Sequence, residues 1–271
     1  MKIAVTGGTG LLGSKVITYL GNKFTFIPLS SNSLNIVSKQ SVEKTLKSFD
    51  FDILLHLAAY TDVDKAETER ETATMINVTG TKNVYDMVQN LGKKMIYIST
   101  DFVFDGKMPP YDELSIPNPI GHYATTKFEG EQIVKDNAMI VRISYPYQKL
   151  EDTQPKADFV HKLANFLKER KKLSMIYDSA ITPTFIDDIA EGLSFLFQNF
   201  NTQTYHLVGS KSYTPYEIGF MIAKKLNIDN PEINRVSFKE FTSSKPIRPK
   251  YSIILSQKNN FQAMRSLEQV L

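Results

Sequence analysis

Apolar runs of strand length alternate with longer amphipathic stretches over the first half of the chain. The runs are largely continuous rather than alternating, which is typical of strands buried on both faces of a parallel sheet. The amphipathic stretches between them fit crossover helices that cover both sides of such a sheet. The pattern predicts a doubly wound α/β fold with strands at Ile3–Thr6, Phe24–Leu29, Ile53–Leu57, Met95–Ser99 and Met139–Ile143.

Beyond Ile143 a polar connection with two prolines interrupts the alternation of strands and helices. Polarity and periodicity then predict a second, smaller lobe that the chain enters twice. The expected helices are Phe159–Lys172, Phe185–Phe200, Tyr216–Leu226 and Phe261–Val270. The expected strands are Leu173–Tyr177 and Thr204–Val208.

Composition narrows the class of protein. The 271 residues carry a formal net charge of +3 and include no cysteine, which excludes disulfides, thiolate metal sites and cysteine nucleophiles. Such a mild charge without a Lys/Arg stripe speaks against a nucleic-acid partner. No apolar run reaches membrane-spanning length, and the first strand leads directly into a glycine turn. We therefore expect no membrane association, no signal peptide and a cytoplasmic location.

A glycine-rich turn follows the first strand, at Gly7, Gly10 and Gly13. Missing Cβ atoms let a backbone approach a pyrophosphate closely, and the helix that starts at Leu11 and Leu12 offers free N–H groups to an anion. A glycine turn alone is weak evidence, because ordinary tight turns share it. Its place after the first of several parallel strands favours a dinucleotide site.

The end of the second strand indicates which dinucleotide. An acidic residue here would bind the ribose 2′-hydroxyl of NAD, but the chain has Ser30 and Ser31 instead. A carboxylate would repel a 2′-phosphate, so its absence favours NADP(H). No arginine follows to bind that phosphate, and acceptance of NAD(H) stays open.

The spacing Tyr-x-x-x-Lys places two reactive side chains on one face of a helix. It occurs three times, at Tyr19/Lys23, Tyr123/Lys127 and Tyr145/Lys149. The first pair straddles Gly21 and the third contains Pro146, which a regular helix does not accommodate. The second opens an amphipathic segment downstream of Thr100, at the carboxyl end of a predicted strand. Context therefore selects Tyr123 and Lys127.

Five stretches together resemble one protein family. They are Thr6-Gly7-x-x-Gly10-x-x-Gly13, Ala58-Ala59-x-Thr61-Asp62-Val63-Asp64-Lys65-Ala66-Glu67, Ser99-Thr100-Asp101-Phe102-Val103-Phe104-Asp105-Gly106, Pro119-x-x-x-Tyr123-x-x-x-Lys127-x-x-Gly130-Glu131 and Arg248-Pro249-x-Tyr251-Ser252. On these motifs the chain resembles an extended short-chain dehydrogenase/reductase, closest to the dTDP-4-dehydrorhamnose reductase family. The first motif is shared by the whole superfamily, whereas the second to fourth are specific for that branch.

The resemblance implies a Rossmann-type NADP(H)-binding domain formed by residues 1–148 with 173–209. It also implies a small substrate-binding lobe formed by 149–172 with 210–271. Thr100, Tyr123 and Lys127 would be the catalytic triad. Lys127, one helical turn from Tyr123, is expected to lower the pKa of that phenol and also to bind the nicotinamide ribose. The cofactor-binding residues would be Gly7, Gly10, Leu11, Leu12, Gly13, Ser30, Ser31, Ala58, Ala59, Tyr123 and Lys127. The substrate-binding residues would be Thr61, Asp101, Phe102, Tyr145 and Arg248.

Three departures from related patterns qualify this expectation. Relatives that dehydrate nucleotide sugars carry Asp-Glu after the catalytic threonine, but here Asp101 precedes Phe102, which argues against dehydration. Tyr145 stands where the reductases often have a substrate-contacting tryptophan, so the exact sugar stays open. Lys15 stands about where some relatives have a magnesium-binding glutamate, and we expect no metal site.

The expected reaction is NADPH-dependent reduction of the C4 keto group of a nucleotide-linked 6-deoxysugar, with dTDP-4-dehydrorhamnose favoured. Two alternatives stay open. One is a nucleotide-sugar 4-epimerase that keeps its cofactor, and the other is a non-catalytic subunit similar to the methionine adenosyltransferase beta subunit. The chain is expected to act as a monomer or a homodimer.

Overall fold

The computed structural model describes residues 1–152 and 157–271. The strands are β1 (Lys2–Thr6), β2 (Thr25–Leu29), β3 (Ile53–His56), β4 (Lys94–Thr100), β5 (Met139–Ile143), β6 (Pro146–Tyr147), β7 (Leu173–Ile176), β8 (Ala180–Ile181), β9 (Thr184–Phe185), β10 (Thr204–His206), β11 (Ile233–Val236) and β12 (Tyr251–Ser252). The α-helices are α1 (Leu11–Leu20), α2 (Lys39–Lys47), α3 (Arg70–Thr74), α4 (Thr81–Asn90), α5 (His122–Val134), α6 (Phe159–Lys168), α7 (Ile186–Gln198), α8 (Pro215–Lys225), α9 (Phe238–Thr242) and α10 (Leu267–Val270).

The main sheet has six parallel strands in the order β10-β5-β4-β3-β1-β2. The chain starts in the interior of the sheet, at β1, and reverses its winding direction between β1 and β3. Such a reversal opens a crevice at the carboxyl ends of the strands, where doubly wound folds bind their ligands. The α/β prediction and its parallel sheet are confirmed.

Helices cover both faces of this sheet, as the continuous apolar strands require. On one face α1 and α7 contribute to the core with residues such as Val16 and Leu193. On the other face α2, α4 and α5 pack through residues such as Leu46, Val88 and Val134. Each face therefore forms its own buried apolar layer around the strands.

A third apolar cluster lies outside the sheet and joins α6, α8, β7 and β11. We assigned Leu173–Tyr177 to the nucleotide-binding domain, but β7 pairs in parallel with β11 and packs in this cluster. This strand therefore belongs with the C-terminal segments. The sequence alone does not show this, because a short apolar run does not indicate which sheet it joins. The division of the remaining chain stays a prediction, and residues 153–156 of that lobe lie outside the described residues.

The expected helix at Phe261–Val270 is wrong over its first half, since α10 begins only at Leu267. Tertiary contacts override the local preference there. The ring of Phe261 stacks on that of Phe195, with centroids 4.2 Å apart, and the Arg265 guanidinium donates to Asp188 at 2.6 and 2.9 Å. Ser266 then caps α10 through a capping box with Gln269.

A wide π-helical turn, Met75–Gly80, joins α3 to α4. Asn77, in this turn, is buried and donates to the Tyr60 carbonyl at 3.1 Å and to the Thr126 hydroxyl at 3.0 Å. One turn later the Thr81 hydroxyl contacts His56 at 3.2 Å. The segment thus ties the loop after β3 to helix α5.

Helix α5 lies close against β4 because one of its positions has no side chain. A Cβ on Gly130 would lie 2.3 Å from the hydroxyl oxygen of Tyr97, which is fully buried. That hydroxyl donates to the Lys127 carbonyl at 3.2 Å. The buried Tyr97 hydroxyl therefore leaves no room for a side chain at position 130.

We predict that Gly130→Ala lowers the free energy of unfolding by about 1–3 kcal/mol, because the added methyl overpacks this contact. Alanine otherwise favours a helix over glycine, so a loss of stability isolates the clash. Chemical denaturation measures it, with Glu129→Ala on the exposed side of α5 as the control. A Gly130→Ala protein at least as stable as the parent would contradict the prediction.

Candidate active site

One cavity of about 880 Å³ opens at the carboxyl ends of β1, β3, β4 and β5. It brings together every residue that the sequence assigned to the site. Those from the cofactor set are Gly7, Gly10, Leu11, Leu12, Gly13, Ser30, Ser31, Ala58, Ala59, Tyr123 and Lys127. Those from the catalytic and substrate sets are Thr100, Thr61, Asp101, Phe102, Tyr145 and Arg248. Their placement is consistent with the expected roles, and the roles themselves remain predictions.

The glycine turn forms the floor of one end. Gly7 has a φ of 68°, and a Cβ there would lie 2.9 Å from the backbone nitrogen of Ala58. The turn closes with a hydrogen bond from the Gly10 N–H to the Gly7 carbonyl at 2.9 Å. Helix α1 starts at Leu11 without a side-chain cap or an acidic residue in its first turn. Its free N–H groups therefore suit an anion such as a pyrophosphate.

Beyond the turn lie Ser30 and Ser31, as expected. The hydroxyl of Ser33 accepts a hydrogen bond from the Ser30 N–H at 2.9 Å, and Ser31 is exposed. Among the described residues that line the cavity, Asp101 is the only carboxylate, and it belongs to a different end. This end consequently presents hydroxyl groups and no negative charge to a ligand.

The catalytic candidates meet where β4 ends and α5 begins. Thr100 is the last residue of β4, and Tyr123 and Lys127 lie one helical turn apart on α5. The Lys127 amine donates to the Ile98 carbonyl at 2.8 Å and lies 4.2 Å from the centroid of the Tyr97 ring. These contacts hold the lysine against the sheet, with its amine at the cavity wall.

The expectation that Lys127 lowers the pKa of Tyr123 is wrong for this structure. Desolvation raises the pKa of Tyr123 to about 12, and Asp101 adds to this while Thr100 opposes it. Burial also lowers the pKa of Lys127 to about 7. Because burial raises the pKa of Tyr123 this far, Tyr123 is protonated at neutral pH and is available as a proton donor.

Asp101 lies at the centre of a buried hydroxyl network. Its side chain accepts hydrogen bonds from the Thr100 hydroxyl at 3.0 Å and from the Ser144 hydroxyl at 2.9 Å. The residue is 3% exposed, and burial raises its pKa to about 6. A hydroxyl has one proton, so Thr100 donates its single hydrogen bond to Asp101, and its oxygen remains free to accept. It accepts the Phe102 N–H at 3.3 Å.

Aromatic rings form the wall opposite the glycine turn. The Phe102 ring lies edge-on to Tyr123, with centroids 5.8 Å apart, and 6.2 Å from Tyr145. Tyr145 has a φ of 40°, a left-handed conformation that side chains other than glycine seldom adopt. Strained backbone of this kind concentrates at ligand sites, and here it coincides with an aromatic residue in the cavity wall.

Arg248 lies at the mouth of the cavity and pairs with Asp64, from the loop after β3. The neighbouring acidic residue, Glu67, accepts the backbone N–H of His122 at the start of α5 and pairs with Arg70. Both carboxylates thus serve ion pairs and helix capping. His56 is buried between the hydroxyls of Thr6 and Thr81, as expected for a packed histidine.

The protein-family model described as the RmlD substrate binding domain matches residues 1–269. The chain belongs to this family. Membership confirms the assignment to the extended short-chain dehydrogenases/reductases and their dTDP-4-dehydrorhamnose reductase branch.

Several proteins similar to this family member have been characterised or solved. The structure of dTDP-4-dehydrorhamnose reductase from Bacillus anthracis in complex with NADP is 33% identical, with a TM-score of 0.91 over 99% of this chain and 96% of that chain. A probable low-salt glycan biosynthesis reductase, Agl14 from Haloferax volcanii, is 30% identical over 84% of this chain and 81% of its own. Methionine adenosyltransferase 2 subunit beta from Xenopus laevis is 28% identical over 87% and 75%.

Sequence reasoning missed two parts of this RmlD-family site. Leu34–Val37 lines the cavity beyond Ser31. In the sequence this short loop is mostly apolar, a composition that predicts packing in the core equally well. No motif indicates the role of Ser144, because its contact with Asp101 depends on β4 and β5 being neighbours in the sheet. Neither feature has a local pattern.

The described part of this RmlD-family chain contains neither a cluster of metal ligands nor a membrane-spanning helix. Over residues 1–152 and 157–271, no three His, Asp or Glu side chains are grouped as metal ligands would be. Over the same ranges, each helix is too short or too polar to span a bilayer. Lys15, at the position compared with a magnesium ligand, pairs with Asp152 and Asp187 at 2.7 and 3.2 Å.

The raised pKa of Asp101 predicts a specific pH dependence of stability. Between about pH 4 and 6 this carboxyl ionises in the unfolded chain but stays protonated in the folded one. Its stabilising contribution is therefore present below the unfolded pKa and is lost as pH rises through 6, by roughly 2–3 kcal/mol. We expect the stability of wild type relative to Asp101→Asn to fall by this amount from pH 4 to pH 7. Urea denaturation of both proteins measures it, and a constant difference would contradict it.

Proposed function

We propose that the protein reduces the C4 keto group of a nucleotide-linked 6-deoxysugar with NADPH, and that dTDP-4-dehydrorhamnose is its substrate. One observation carries the proposal. Thr100, Tyr123 and Lys127 lie in the same cavity as a glycine turn, at the carboxyl edge of a parallel sheet. A hydroxyl and amine set beside a pyrophosphate site is the arrangement that reduction by a nicotinamide cofactor requires.

The cavity fits such a cofactor. The free N–H groups of the glycine turn and α1 would bind the pyrophosphate, and Ser30 and Ser31 would face a 2′-phosphate without an opposing carboxylate. Ala58 and Ala59 leave room at the crossing of the loops after β1 and β3, and Lys127 would bind the nicotinamide ribose. When bound, the cofactor supplies a hydride to the carbonyl carbon.

The residues of the chain then supply the proton and the charge. Tyr123, protonated at neutral pH, donates its phenolic proton to the developing alkoxide, so that the C=O group becomes C–OH. The ammonium of Lys127 stabilises the phenolate that remains. Thr100 donates its hydrogen bond to Asp101 and lies beside Tyr123, so it helps to position the Tyr123 hydroxyl.

Relatives support the reductase proposal in different ways. The Bacillus anthracis structure couples the dTDP-4-dehydrorhamnose reductase name to bound NADP, at 33% identity over nearly the whole chain. The Haloferax volcanii relative is also named as a reductase. Both agree with a site that has the triad, no carboxylate at Ser30 and Ser31, and an aromatic wall for a sugar.

One further observation favours a different role. Methionine adenosyltransferase 2 subunits beta are 28% identical over 87% of this chain, so this fold also occurs in a subunit of another enzyme. Turnover of a ketosugar with oxidation of NADPH separates reduction from such a role. Net release of NADP⁺ in that assay also separates reduction from 4-epimerisation, in which the cofactor returns its hydride.

We predict that Tyr123→Phe lowers the rate of ketosugar reduction by about two to four orders of magnitude while NADPH affinity changes little. Lys127→Met should lower the rate further and also weaken NADPH binding, because it removes both a charge and a ribose contact. Steady-state kinetics and fluorescence titration measure the two effects.

Tyr145→Phe is the control for this series. It keeps the ring in the cavity wall, so we expect a small effect confined to substrate KM. If Tyr123→Phe kept most of the activity and Tyr145→Phe lost it, the assignment of the proton donor would be refuted.

We also predict that NADPH binds more tightly than NADH, since Ser30 and Ser31 present no carboxylate to the 2′-phosphate. Ser31→Asp should shift the preference towards NADH, because the new charge repels the phosphate and can accept from a ribose hydroxyl. Titration of both proteins with both cofactors measures the ratio. Equal or tighter NADH binding by the unmodified protein would count against the proposal.

A further inference from the structure

A buried ion pair lies one helical turn beyond Lys127. Glu131, on α5, is 1% exposed and accepts two hydrogen bonds from Arg142 on β5, at 2.9 and 2.7 Å. Arg142 is 5% exposed. Two parallel N–H···O bonds fix the position and the plane of the carboxylate as a single N–H···O bond would not. Neither residue lines the cavity, so the proposed reaction leaves both unused.

Glu131 and Lys127 are four residues apart on α5, so their side chains lie on the same face of the helix. Lys127 is 4% exposed, and its amine reaches a carbonyl and an aromatic ring but no carboxylate within 4.0 Å among the described residues. A buried ammonium is costly without an opposite charge nearby. The carboxylate of Glu131 is the charge that the helix places closest along its own face.

The other groups packed around Lys127 carry no compensating charge. Tyr97 on β4 and Tyr123 on α5 are phenols whose pKa values are raised by burial. His56 on β3 has its pKa lowered to about 3 and is neutral. Behind the pair, His206 on β10 is neutral as well, because burial lowers its pKa to about 4, and its imidazole contacts Arg142 at 3.4 Å.

The order of the charges therefore matters. Lys127, Glu131 and Arg142 form a buried series in which the carboxylate lies between the two cations. Arg142 is held from behind by His206 and by the Phe104 ring, 5.1 Å from its guanidinium carbon. Glu131 thus lies one helical turn beyond Lys127, and Arg142 binds its carboxylate from β5. Coulomb attraction is strong at such burial.

We propose that Glu131 is a positioning residue that maintains Lys127 as an ammonium ion in the site, and that Arg142 fixes Glu131 in place for this task. The role rests on the proposed reduction, in which the charged lysine acts on Tyr123 and on the cofactor. It gives the buried ion pair in the interior of α5 a task beyond packing, which an apolar pair could also provide.

The competing explanation is that the ion pair only links α5 to β5. Removing one partner of a buried pair is strongly destabilising in either case, so stability does not separate the two. The protonation of Lys127 does separate them. Burial lowers its pKa to about 7, and Glu131 raises it, so its titration falls in an accessible range.

The experiment follows the side-chain carbons of 13C-labelled lysines by NMR as pH is varied, in the protein without cofactor. The Lys127→Met spectrum identifies the Lys127 signal by its loss. In Glu131→Gln we expect the midpoint of this signal to lie at least about half a pH unit below that of wild type. In Glu131→Asp, which keeps the charge but disturbs the paired geometry, we expect a smaller change. A matched control is Glu43→Gln, which removes an exposed i,i+4 partner of Lys47 and should leave the Lys127 midpoint unmoved.

A double variant covers the case in which Glu131→Gln does not fold. Glu131→Gln with Arg142→Met removes both charges and leaves no unpaired ion, and a smaller fall in the same direction is expected, because loss of the Arg142 cation partly offsets loss of the carboxylate. An unchanged midpoint in the folded single or double variant overturns the proposal, as does an equal fall in Glu131→Asp and Glu131→Gln.

Function provides a second readout. At pH 7 we expect NADPH affinity and the reduction rate of Glu131→Gln to fall about 3- to 10-fold relative to wild type, and to recover as pH is lowered towards 6. A loss without recovery overturns the proposal, because it is what a structural role alone would give. Failure of the wild type to reduce any ketosugar refutes the proposed function instead, and the NMR titration still tests the charge of Lys127.

Discussion

The contact between helix α5 and strand β4 determines most of the site. The Tyr97 hydroxyl occupies the space that a side chain at Gly130 would take, and this brings α5 down onto the sheet. At that distance the Lys127 amine reaches a carbonyl of β4, and Tyr123 lies beside Thr100 at the end of the strand. Two groups that belong to different elements are thereby brought within one cavity. The glycine turn after β1 adds an anion site because β1 and β4 end at the same edge of a parallel sheet.

Burial at this contact also decides the protonation states. An ammonium near a phenol is usually expected to lower the phenol pKa, but here desolvation raises the pKa of Tyr123 and lowers that of Lys127. The result is a phenol that holds its proton at neutral pH beside a lysine that titrates there. For a reaction that consumes a proton at the substrate oxygen, this is the productive starting state. Burial in the same apolar surroundings raises the pKa of Asp101. Its side chain accepts hydrogen bonds from the hydroxyls of Thr100 and Ser144.

Local signals in the sequence were sufficient for the strands of the main sheet, the glycine turn and a Tyr-x-x-x-Lys pair that lines the cavity. Each depends on residues adjacent in the chain: continuous apolar runs, glycines at one turn, and a proline that excludes a competing pair. The failures depend on distant residues. Leu173–Ile176 has strand character, but only contact with Ile233–Val236 decides its sheet. Phe261–Ser266 is drawn out of a helix by Phe195 and Asp188. The pKa of Tyr123 depends on burial, which no motif encodes.

The π-helical turn at Met75–Gly80 can be understood as a phase correction. An α-helix advances about 100° per residue, so the extra residue of a π-turn rotates everything after it by about that angle. The turn itself carries Asn77, which contacts the loop after β3; one turn later Thr81 contacts His56, and α4 continues along the sheet. Loss of a single residue here would therefore be felt some 10 residues further on, as a rotation of the whole of α4 against the sheet.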